Sequence, residues 1–236
     1  MKIGENATGF IKAAAGSPRV HPGEPMKNAA EICSVIDQAE ALKADVLVLP
    51  ELVLSGYTAA DLFLRAPLLE GVLTALECIK DHLKRPESEG LIVVLGAPIR
   101  ADGRLFNCAV FLQNGRVLGI VPKSHLPNYQ EFYEARWFSP ASEAVSSTLE
   151  LLGDTVPFGT DLIFESASGL AIAAEICEDL WVAQPPATAA AAAGANVIVN
   201  LSASNETAGK AKFRRELVRL QSARSMCCLL YTSPSP

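Results

Sequence analysis

The stretch 170-LAIAAEICEDLW-181 decides how this sequence folds and where its chemistry lies. Its first part, Leu170 to Ile176, has the length and composition of a buried strand. The strand ends at Cys177, and the acids Glu178 and Asp179 follow at once. A cysteine at the end of a buried strand is held rigidly and still reaches a cleft. The position therefore suits a nucleophile.

Two further polar residues follow predicted strands in the same way. Glu51 comes after the apolar run Val46 to Leu49, and Lys123 follows the run Val117 to Val121. Attack of a thiol on an amide needs a base, a nucleophile and a positive group for the developing oxyanion. A desolvated carboxylate accepts a proton near neutral pH more readily, and a cation beside the sulfur favours the thiolate. The joint pattern of Glu51, Lys123 and Cys177 therefore indicates amide hydrolysis through a thiol.

Each of these three residues, taken singly, also fits an ordinary structural role. Histidine is the usual base in such chemistry, and His125 is the histidine that lies near a motif. Backbone groups readily satisfy both ring nitrogens of a histidine, so we expect a structural role for His125 and assign the base to Glu51. The backbone N–H of Glu178, directly after the nucleophile, is a natural second donor to the oxyanion.

Length, composition and charge limit the possible classes of protein. The chain has 236 residues, of which 50% are hydrophobic and 19% charged, enough for one large domain or two small ones. A net charge of −6 argues against a nucleic-acid partner, because phosphate binding needs a basic face. No apolar run reaches the roughly 18 residues of a membrane span, and no secretory signal is visible. The six cysteines and three histidines form no zinc pattern, so we expect free thiols, no metal and a cytoplasmic location.

Short apolar runs alternate with helical patterns along the chain, which predicts an α/β fold with helices covering the sheet. Predicted strands lie at 10–15, 46–49, 91–95, 109–112, 117–121, 170–176 and 197–201, and predicted helices at 28–43, 68–83, 184–195 and 213–228. Asn114-Gly115 predicts a hairpin turn, so the sheet should be mixed. The polar segment 139–160 is expected to be a surface excursion. Leu229 to Tyr231 predicts the start of another strand, which the prolines near the end of the sequence cut short.

Three motifs resemble those of the nitrilase superfamily, which has a Glu-Lys-Cys triad: 50-PELVLSGY-57, 122-PKSHLPNY-129 and 175-EICEDLW-181. Further segments point to one group of proteins within that superfamily. These segments are 129-YQEFYEARWF-138, 200-NLSASN-205, Gly209-Lys210 and the opening 10–20. They resemble the glutaminase domain of glutamine-dependent NAD+ synthetases. The resemblance runs from about residue 8 to about residue 232.

The resemblance implies a four-layer α-β-β-α sandwich of the nitrilase (carbon–nitrogen hydrolase) type, truncated at its C-terminal end. It implies a nitrilase-like glutamine amidotransferase domain over residues 8–232 and an atypical tail over 233–236, with the family's synthetase domain absent from this chain. Glu51 matches the family's proton acceptor, Lys123 its oxyanion-stabilising lysine and Cys177 its nucleophile. The residues matching glutamine contacts are Tyr129, Ser204 and Lys210, and Glu178 and Tyr57 are expected to line the pocket.

The activity implied is hydrolysis of L-glutamine through a cysteine thioester, without a cofactor in this domain. The ammonia would serve a covalently linked synthetase domain, which amidates deamido-NAD+ with ATP and Mg2+, and the enzyme is expected to be a homo-oligomer. Two alternatives stay open: a stand-alone nitrilase-type amidase or carbamoylase acting on another small amide, and a non-catalytic scaffold module. Lys210 also fits a solvated basic helix shared with Lys212, Arg214, Arg215 and Arg219.

Overall fold

A computed structural model of the chain describes residues 10–166 and 169–233. The first two residues of the predicted domain and most of the predicted tail, 234–236, lie outside the described residues. In the described part, no helix is both long and apolar enough to cross a membrane.

Four α-helices and eleven strands form the described part of the chain. The helices are α1 (Pro25–Ala41), α2 (Ala66–His82), α3 (Pro186–Ala192) and α4 (Lys210–Ser225). The strands are β1 (Ala13–Ala15), β2 (Val46–Val48), β3 (Ile92–Ala101), β4 (Arg104–Gln113), β5 (Arg116–Pro122), β6 (Thr148–Leu151), β7 (Asp154–Pro157), β8 (Phe164–Glu165), β9 (Ala171–Ile176), β10 (Val197–Leu201) and β11 (Cys228–Thr232).

The first sheet has five strands in the order β1-β2-β3-β4-β5. Strands β1, β2 and β3 are parallel, whereas β3, β4 and β5 form an antiparallel meander. The turn between β4 and β5 places Asn114 and Gly115 at φ values of 49° and 69°. These left-handed values are those that the Asn-Gly pair adopts readily, so the predicted hairpin and mixed sheet are confirmed.

The second sheet has four strands in the order β11-β10-β9-β8. Strands β9, β10 and β11 run parallel, and β8 pairs antiparallel with β9. In the β9–β10 register, Glu175 lies opposite Asn200 and Ile176 opposite Leu201. The carboxyl ends of β9 and β10 therefore lie side by side, and both run directly into candidate site residues.

The two sheets pack face to face because their strands present apolar side chains on both faces. Val46 and Val48 on β2 contribute to the core between the sheets, which Ile172 and Ala174 on β9 complete. Leu47, on the other face of β2, belongs to the core beneath α1 and α2. Helix α3 covers the outer face of the second sheet through a smaller cluster that includes Ala173, Ala187 and Ile198. The layers are thus α-β-β-α, and the predicted sandwich is confirmed.

Two parts of the fold differ from the sequence-based expectation. Strands β3 and β4 extend well beyond the predicted 91–95 and 109–112. The prediction was too short because residues such as Gly96 and Asn107 interrupt the apolar pattern, although the strand pairing continues through them. The expectation of a surface excursion over 139–160 was wrong in part. The hairpin β6–β7 forms there, and it buries Val156 in the core beneath α1 and α2. The predicted last strand forms as β11 and pairs with β10.

Gly96 on β3 sets the position of the turn that carries Glu51. A Cβ atom at Gly96 would lie 2.2 Å from the Leu52 nitrogen and 2.6 Å from the Pro50 oxygen. Both contacts are with backbone, which cannot move aside without displacing the turn. Gly96 therefore allows the turn after β2 to lie directly on β3.

We predict that Gly96→Ala lowers the free energy of unfolding by about 1–3 kcal/mol, the usual cost of overpacking a core. Urea denaturation measures the loss. Gly71→Ala in α2 is the matched control, since its Cβ would meet Pro25 at an ordinary 3.5 Å and alanine favours a helix interior. A Gly96→Ala chain as stable as the original would show that this close contact does not constrain the turn.

Candidate active site

Cys177 lies at the point where β9 gives way to a short 3-10 turn, Cys177–Leu180. Its φ of 46° places a non-glycine residue in the left-handed region, a conformation that costs on the order of 1–3 kcal/mol and clusters at functional sites. The side chain is buried, with the residue only 6% exposed. The strand end therefore holds the sulfur in one direction, as the sequence pattern predicts.

Asp179 fixes this turn and joins it to the segment after β5. One carboxylate oxygen accepts the Ile176 N–H at 3.0 Å, and the other accepts the His125 N–H at 2.8 Å. Burial raises the pKa of Asp179 to about 6, although these backbone N–H groups act in the opposite direction. His125 meets the site through its backbone, and the residue is exposed, which agrees with a structural role.

Glu51 is buried on the turn after β2, with both carboxylate oxygens engaged. One oxygen accepts from Lys123 Nζ at 2.7 Å and from Asn107 Nδ2 at 2.8 Å. The other accepts the backbone N–H of Ala203, just past the end of β10, at 2.9 Å. Glu51 is therefore bonded by groups from both sheets, and its orientation is set by three donors.

Lys123 follows β5 and is fully buried. Its ammonium donates to Glu51 at 2.7 Å and to both oxygens of Glu134 at 2.7 and 2.9 Å. Burial alone would lower the pKa of Lys123, but the negative charges of Glu51 and Glu134 outweigh it and hold the pKa well above its usual value. The lysine thus remains a cation although it is fully buried.

Glu134 is a residue that the sequence reasoning did not assign. It begins the 3-10 turn Glu134–Arg136 and is buried, and it accepts a hydrogen bond from the Tyr57 hydroxyl at 2.7 Å as well as those from Lys123. Burial raises the pKa of Glu134, with Lys123 opposing the shift. Its place inside the motif 129-YQEFYEARWF-138 was the available signal, but nothing in the spacing showed that it would meet the lysine.

Glu51 and Lys123 are hydrogen-bonded at 2.7 Å, and their charges, with that of Glu134, shift the pKa of the buried Cys177 thiol. Burial raises the pKa of the thiol most, the charge of Glu51 raises it further, and Lys123 lowers it. The thiol is therefore protonated at rest. A nearby proton acceptor is needed before the sulfur can attack.

The residues predicted to contact substrate surround the same site. The Tyr129 hydroxyl donates to Glu178 at 2.9 Å, and the pKa of Tyr129 rises to about 12 through burial and this bond. The Lys210 ammonium lies 5.3 Å from the centre of the Trp181 ring and donates to Asn205. Lys210 is also the first residue of α4, so its role as a glutamine contact and its place in a basic helix both stay predictions.

A cavity of about 870 Å³ opens beside these residues. Its lining includes Glu51, Tyr57 and Ser204 but, among the residues that the structure describes, neither Cys177 nor Lys123. Cys177 is therefore a buried residue that does not line this cavity. A substrate entering here would meet Tyr57 and Ser204 before the thiol.

The site residues form no cluster of metal ligands. Within the described ranges, the acids and histidine close enough together to hold an ion are Asp37, Glu40 and His82, where α1 packs on α2. Arg85 already donates to both carboxylates of that group. None of the predicted site residues belongs to it.

The chain matches a known protein family over most of its length. The family described as carbon–nitrogen hydrolase matches residues 12–233. A glutamine-dependent NAD(+) synthetase from Mycobacterium tuberculosis is 42% identical over 230 residues, which are 95% of this chain and 33% of that protein. The chain therefore spans about a third of the length of the curated relatives that it matches first.

Solved structures of related proteins also superpose on most of the chain. A glutamine-dependent NAD(+) synthetase from Cytophaga hutchinsonii superposes with a TM-score of 0.80 at 30% identity, covering 94% of this chain and 35% of that one. An amidase from Nesterenkonia sp. superposes with a TM-score of 0.73 at 18% identity, covering 94% of this chain and 75% of that one. The second likeness shows the shared fold alone.

We predict that Lys123→Met lowers the free energy of unfolding by about 3–5 kcal/mol at pH 8, because two buried carboxylates lose their cation. The deficit should shrink at pH 5. A carboxyl whose pKa is raised in the folded state binds protons preferentially there, so it contributes stability at low pH that is lost as the pH rises. Urea denaturation at both pH values measures the difference.

Lys80→Met is the matched control for this prediction. Lys80 is also buried, but its ammonium donates to the neutral carbonyl of Leu152 at 2.8 Å. Its loss should cost about 1 kcal/mol and should depend little on pH. Equal deficits in the two variants, or a Lys123→Met deficit that does not change with pH, would contradict the charge balance described above.

Proposed function

This chain belongs to the carbon–nitrogen hydrolase family, and on that premise we propose that it hydrolyses the side-chain amide of L-glutamine. The observation that carries the proposal is the buried cluster in which Lys123 bonds Glu51 while both groups act on the Cys177 sulfur. Base, cation and nucleophile are the three elements of thiol-based amide hydrolysis. The choice of glutamine is supported by the substrate that the similar synthetases carry in their names.

In the proposed reaction, Glu51 takes the proton of the Cys177 thiol and the thiolate attacks the amide carbon. Lys123 and the backbone N–H of Glu178 stabilise the oxyanion of the tetrahedral intermediate. As the carbon–nitrogen bond breaks, Glu51 returns the proton to the leaving nitrogen, so ammonia departs and a glutamyl thioester remains. Glu51 then takes a proton from water as the hydroxide attacks the thioester. As the carbon–sulfur bond breaks, Glu51 gives this proton to the departing thiolate, so glutamate and the free thiol are released.

Glu134 acts in this scheme through Lys123. Its two hydrogen bonds to the ammonium hold the lysine charged and fixed in direction. A cation that is already oriented need not reorganise when the oxyanion forms, and such preorganised electrostatics account for much of enzymatic rate enhancement. Tyr57 in turn fixes Glu134.

Recognition of glutamine as an amino acid requires an acceptor for its α-ammonium and a cation for its α-carboxylate, which lie together at the end away from the amide. Glu178 offers an acceptor for the substrate ammonium, and Lys210 offers a cation for the carboxylate. Tyr129 bonds Glu178 and so lies at the same end of the site. Ser204 and Tyr57 line the adjoining cavity and complete the proposed pocket.

The wider role follows from the relatives named as glutamine-dependent NAD(+) synthetases. We propose that the ammonia serves a covalently linked synthetase domain, which uses ATP and Mg2+ to amidate deamido-NAD+ in NAD biosynthesis. The whole enzyme would then be a carbon–nitrogen ligase with glutamine as nitrogen donor. A homo-oligomer and a cytoplasmic location stay predictions.

We predict that a glutamine analogue with an electrophilic diazoketone in place of the amide labels Cys177. Peptide mass spectrometry locates the label, and an excess of L-glutamine should protect the site. Cys78 and Cys228 are exposed thiols of the same chain and serve as internal controls. Labelling of another cysteine in preference to Cys177, or labelling that glutamine does not slow, would contradict the assignment.

We predict that Glu51→Gln lowers kcat for glutamine by about 100- to 10,000-fold, the usual contribution of a general base, while the fold persists. Ammonia release measures turnover, and Glu31→Gln on α1 is the control. An unchanged kcat would refute the role of Glu51. Faster turnover of simple amides than of glutamine by the original chain would favour the stand-alone amidase alternative, and no turnover of any amide would favour the scaffold.

A further inference from the structure

Asp61 is an exposed carboxylate that the reaction described above does not use. It lies on the 3-10 segment Tyr57–Leu64, four residues after the tyrosine that bonds Glu134. The Asp61 side chain is 60% exposed, yet it accepts three hydrogen bonds from two residues that closely follow Glu134. Water alone can satisfy an exposed carboxylate, so these bonds indicate that the segment is held in one position.

Arg136 and Trp137 donate the three bonds. Arg136 Nε and Nη2 donate to the two oxygens of Asp61 at 2.6 and 2.8 Å, and Trp137 Nε1 donates to the first of these oxygens at 2.9 Å. They hold the pKa of Asp61 well below its usual value. Two parallel bonds from a guanidinium fix the direction of a carboxylate as well as its position. Because Arg136 ends the 3-10 turn Glu134–Arg136, the bonds join two 3-10 segments.

The same two segments also meet inside the protein. The Tyr57 hydroxyl donates to the buried carboxylate of Glu134 at 2.7 Å. The buried ring of Phe63 packs against the rings of Phe138 and Trp137, with centroids 4.9 and 5.7 Å apart. The segment that carries Tyr57 therefore holds the Glu134 turn by a buried hydrogen bond, an aromatic contact and an exposed ion pair.

The backbone between Tyr57 and Asp61 is strained. Ala60 has a φ of 52° and a ψ of −133°, in the half of the conformational map that disfavours a residue with a Cβ atom. Such strain persists only where surrounding contacts impose it, and it is found most often at functional sites. Here the bond of Tyr57 to Glu134 precedes the strained residue, and the bonds of Asp61 follow it directly.

We propose that Asp61, Arg136 and Trp137 form a clasp and that Asp61 is a positioning residue, which acts through Glu134 on Lys123. The proposal rests on the proposed function, since it takes Lys123 as the cation that stabilises the oxyanion. Glu134 holds the lysine ammonium by bonds of 2.7 and 2.9 Å. A small shift of the Glu134 turn therefore redirects the ammonium. A misplacement of about 1 Å caused by a distant substitution can slow a reaction by about 100-fold.

The clasp lies in solvent, where ion pairs usually contribute little to global stability. We therefore expect it to fix the direction of Glu134 and not to hold the fold together. The urea midpoint of Asp61→Ala should stay close to that of the original chain. A large fall of the midpoint would overturn the proposal, because it would show that the clasp supports the whole fold.

Steady-state kinetics of glutamine hydrolysis by the full chain test the positioning role. Asp61→Ala should lower kcat by about tenfold and leave KM nearly unchanged, because a misdirected cation weakens stabilisation of the transition state alone. Arg136→Lys should fall between the two, since lysine keeps the charge but cannot form two parallel bonds. An unchanged kcat, or a rise in KM without a fall in kcat, would overturn the proposal.

Asp81→Ala is the matched control. Its side chain is 58% exposed and accepts from Lys84 at 2.6 Å near the end of α2. The control removes an exposed ion pair of similar geometry that belongs to neither 3-10 segment. It should keep the original kcat and KM. A kcat that falls equally in both variants would show that the effect is not specific to the clasp.

Hydrogen exchange followed by mass spectrometry tests the clasp without any substrate. Peptides covering 57–64 and 129–138 should exchange about threefold faster in Asp61→Ala, because local opening no longer breaks the ion pair. The same peptides should exchange at the original rate in Asp81→Ala. Unchanged exchange in Asp61→Ala would overturn the clasp.

A Glu134→Gln background decides whether the effect passes through Glu134. Asp61→Ala should lower kcat there by less than about twofold, because two substitutions on one path are not additive. A merely structural contact would cost the same in both backgrounds, and that result would overturn the positioning role. If the chain hydrolyses no glutamine, the proposed function is refuted, and the exchange rates alone then support or overturn the clasp.

Discussion

The site depends on one buried cation held between two carboxylates. Lys123 has no contact with solvent, and its ammonium bonds Glu51 and Glu134 at 2.7 Å each. Removing the cation from this cluster leaves two carboxylates unbalanced in a medium that solvates them poorly. The buried cation is therefore stable only where three segments meet: the turn after β2, the end of β5 and the 3-10 turn at Glu134. This requirement couples the geometry of the site to the fold.

The sandwich brings the remaining chemistry to the same place. Strands β9 and β10 end beside each other, so Cys177 and the Ser202–Ala203 segment reach the cluster from the second sheet while Glu51 and Lys123 reach it from the first. The thiol stays protonated in this buried setting. In the proposed reaction, activation of the nucleophile is thereby tied to proton transfer within the site, and a protonated thiol is less open to reaction with unrelated electrophiles.

The sequence predicted the triad because each member directly follows an apolar run, and a strand end is readable from composition alone. It did not predict the role of Glu134, whose partner lies 11 residues away across an irregular segment. The bonds between Asp61 and Arg136 join residues 75 positions apart in two irregular segments, which no periodic pattern pairs. Hairpin β6–β7 escaped prediction because its short polar strands bury few residues. The domain limits stay predictions.

The most direct test of the account is an experimental crystal structure of the chain at a resolution that defines the buried side chains. The account predicts Lys123 Nζ within hydrogen-bonding distance of both Glu51 and Glu134, with the Cys177 sulfur beside them. A lysine that points to solvent, or a sulfur separated from the two carboxylates by other side chains, would contradict it.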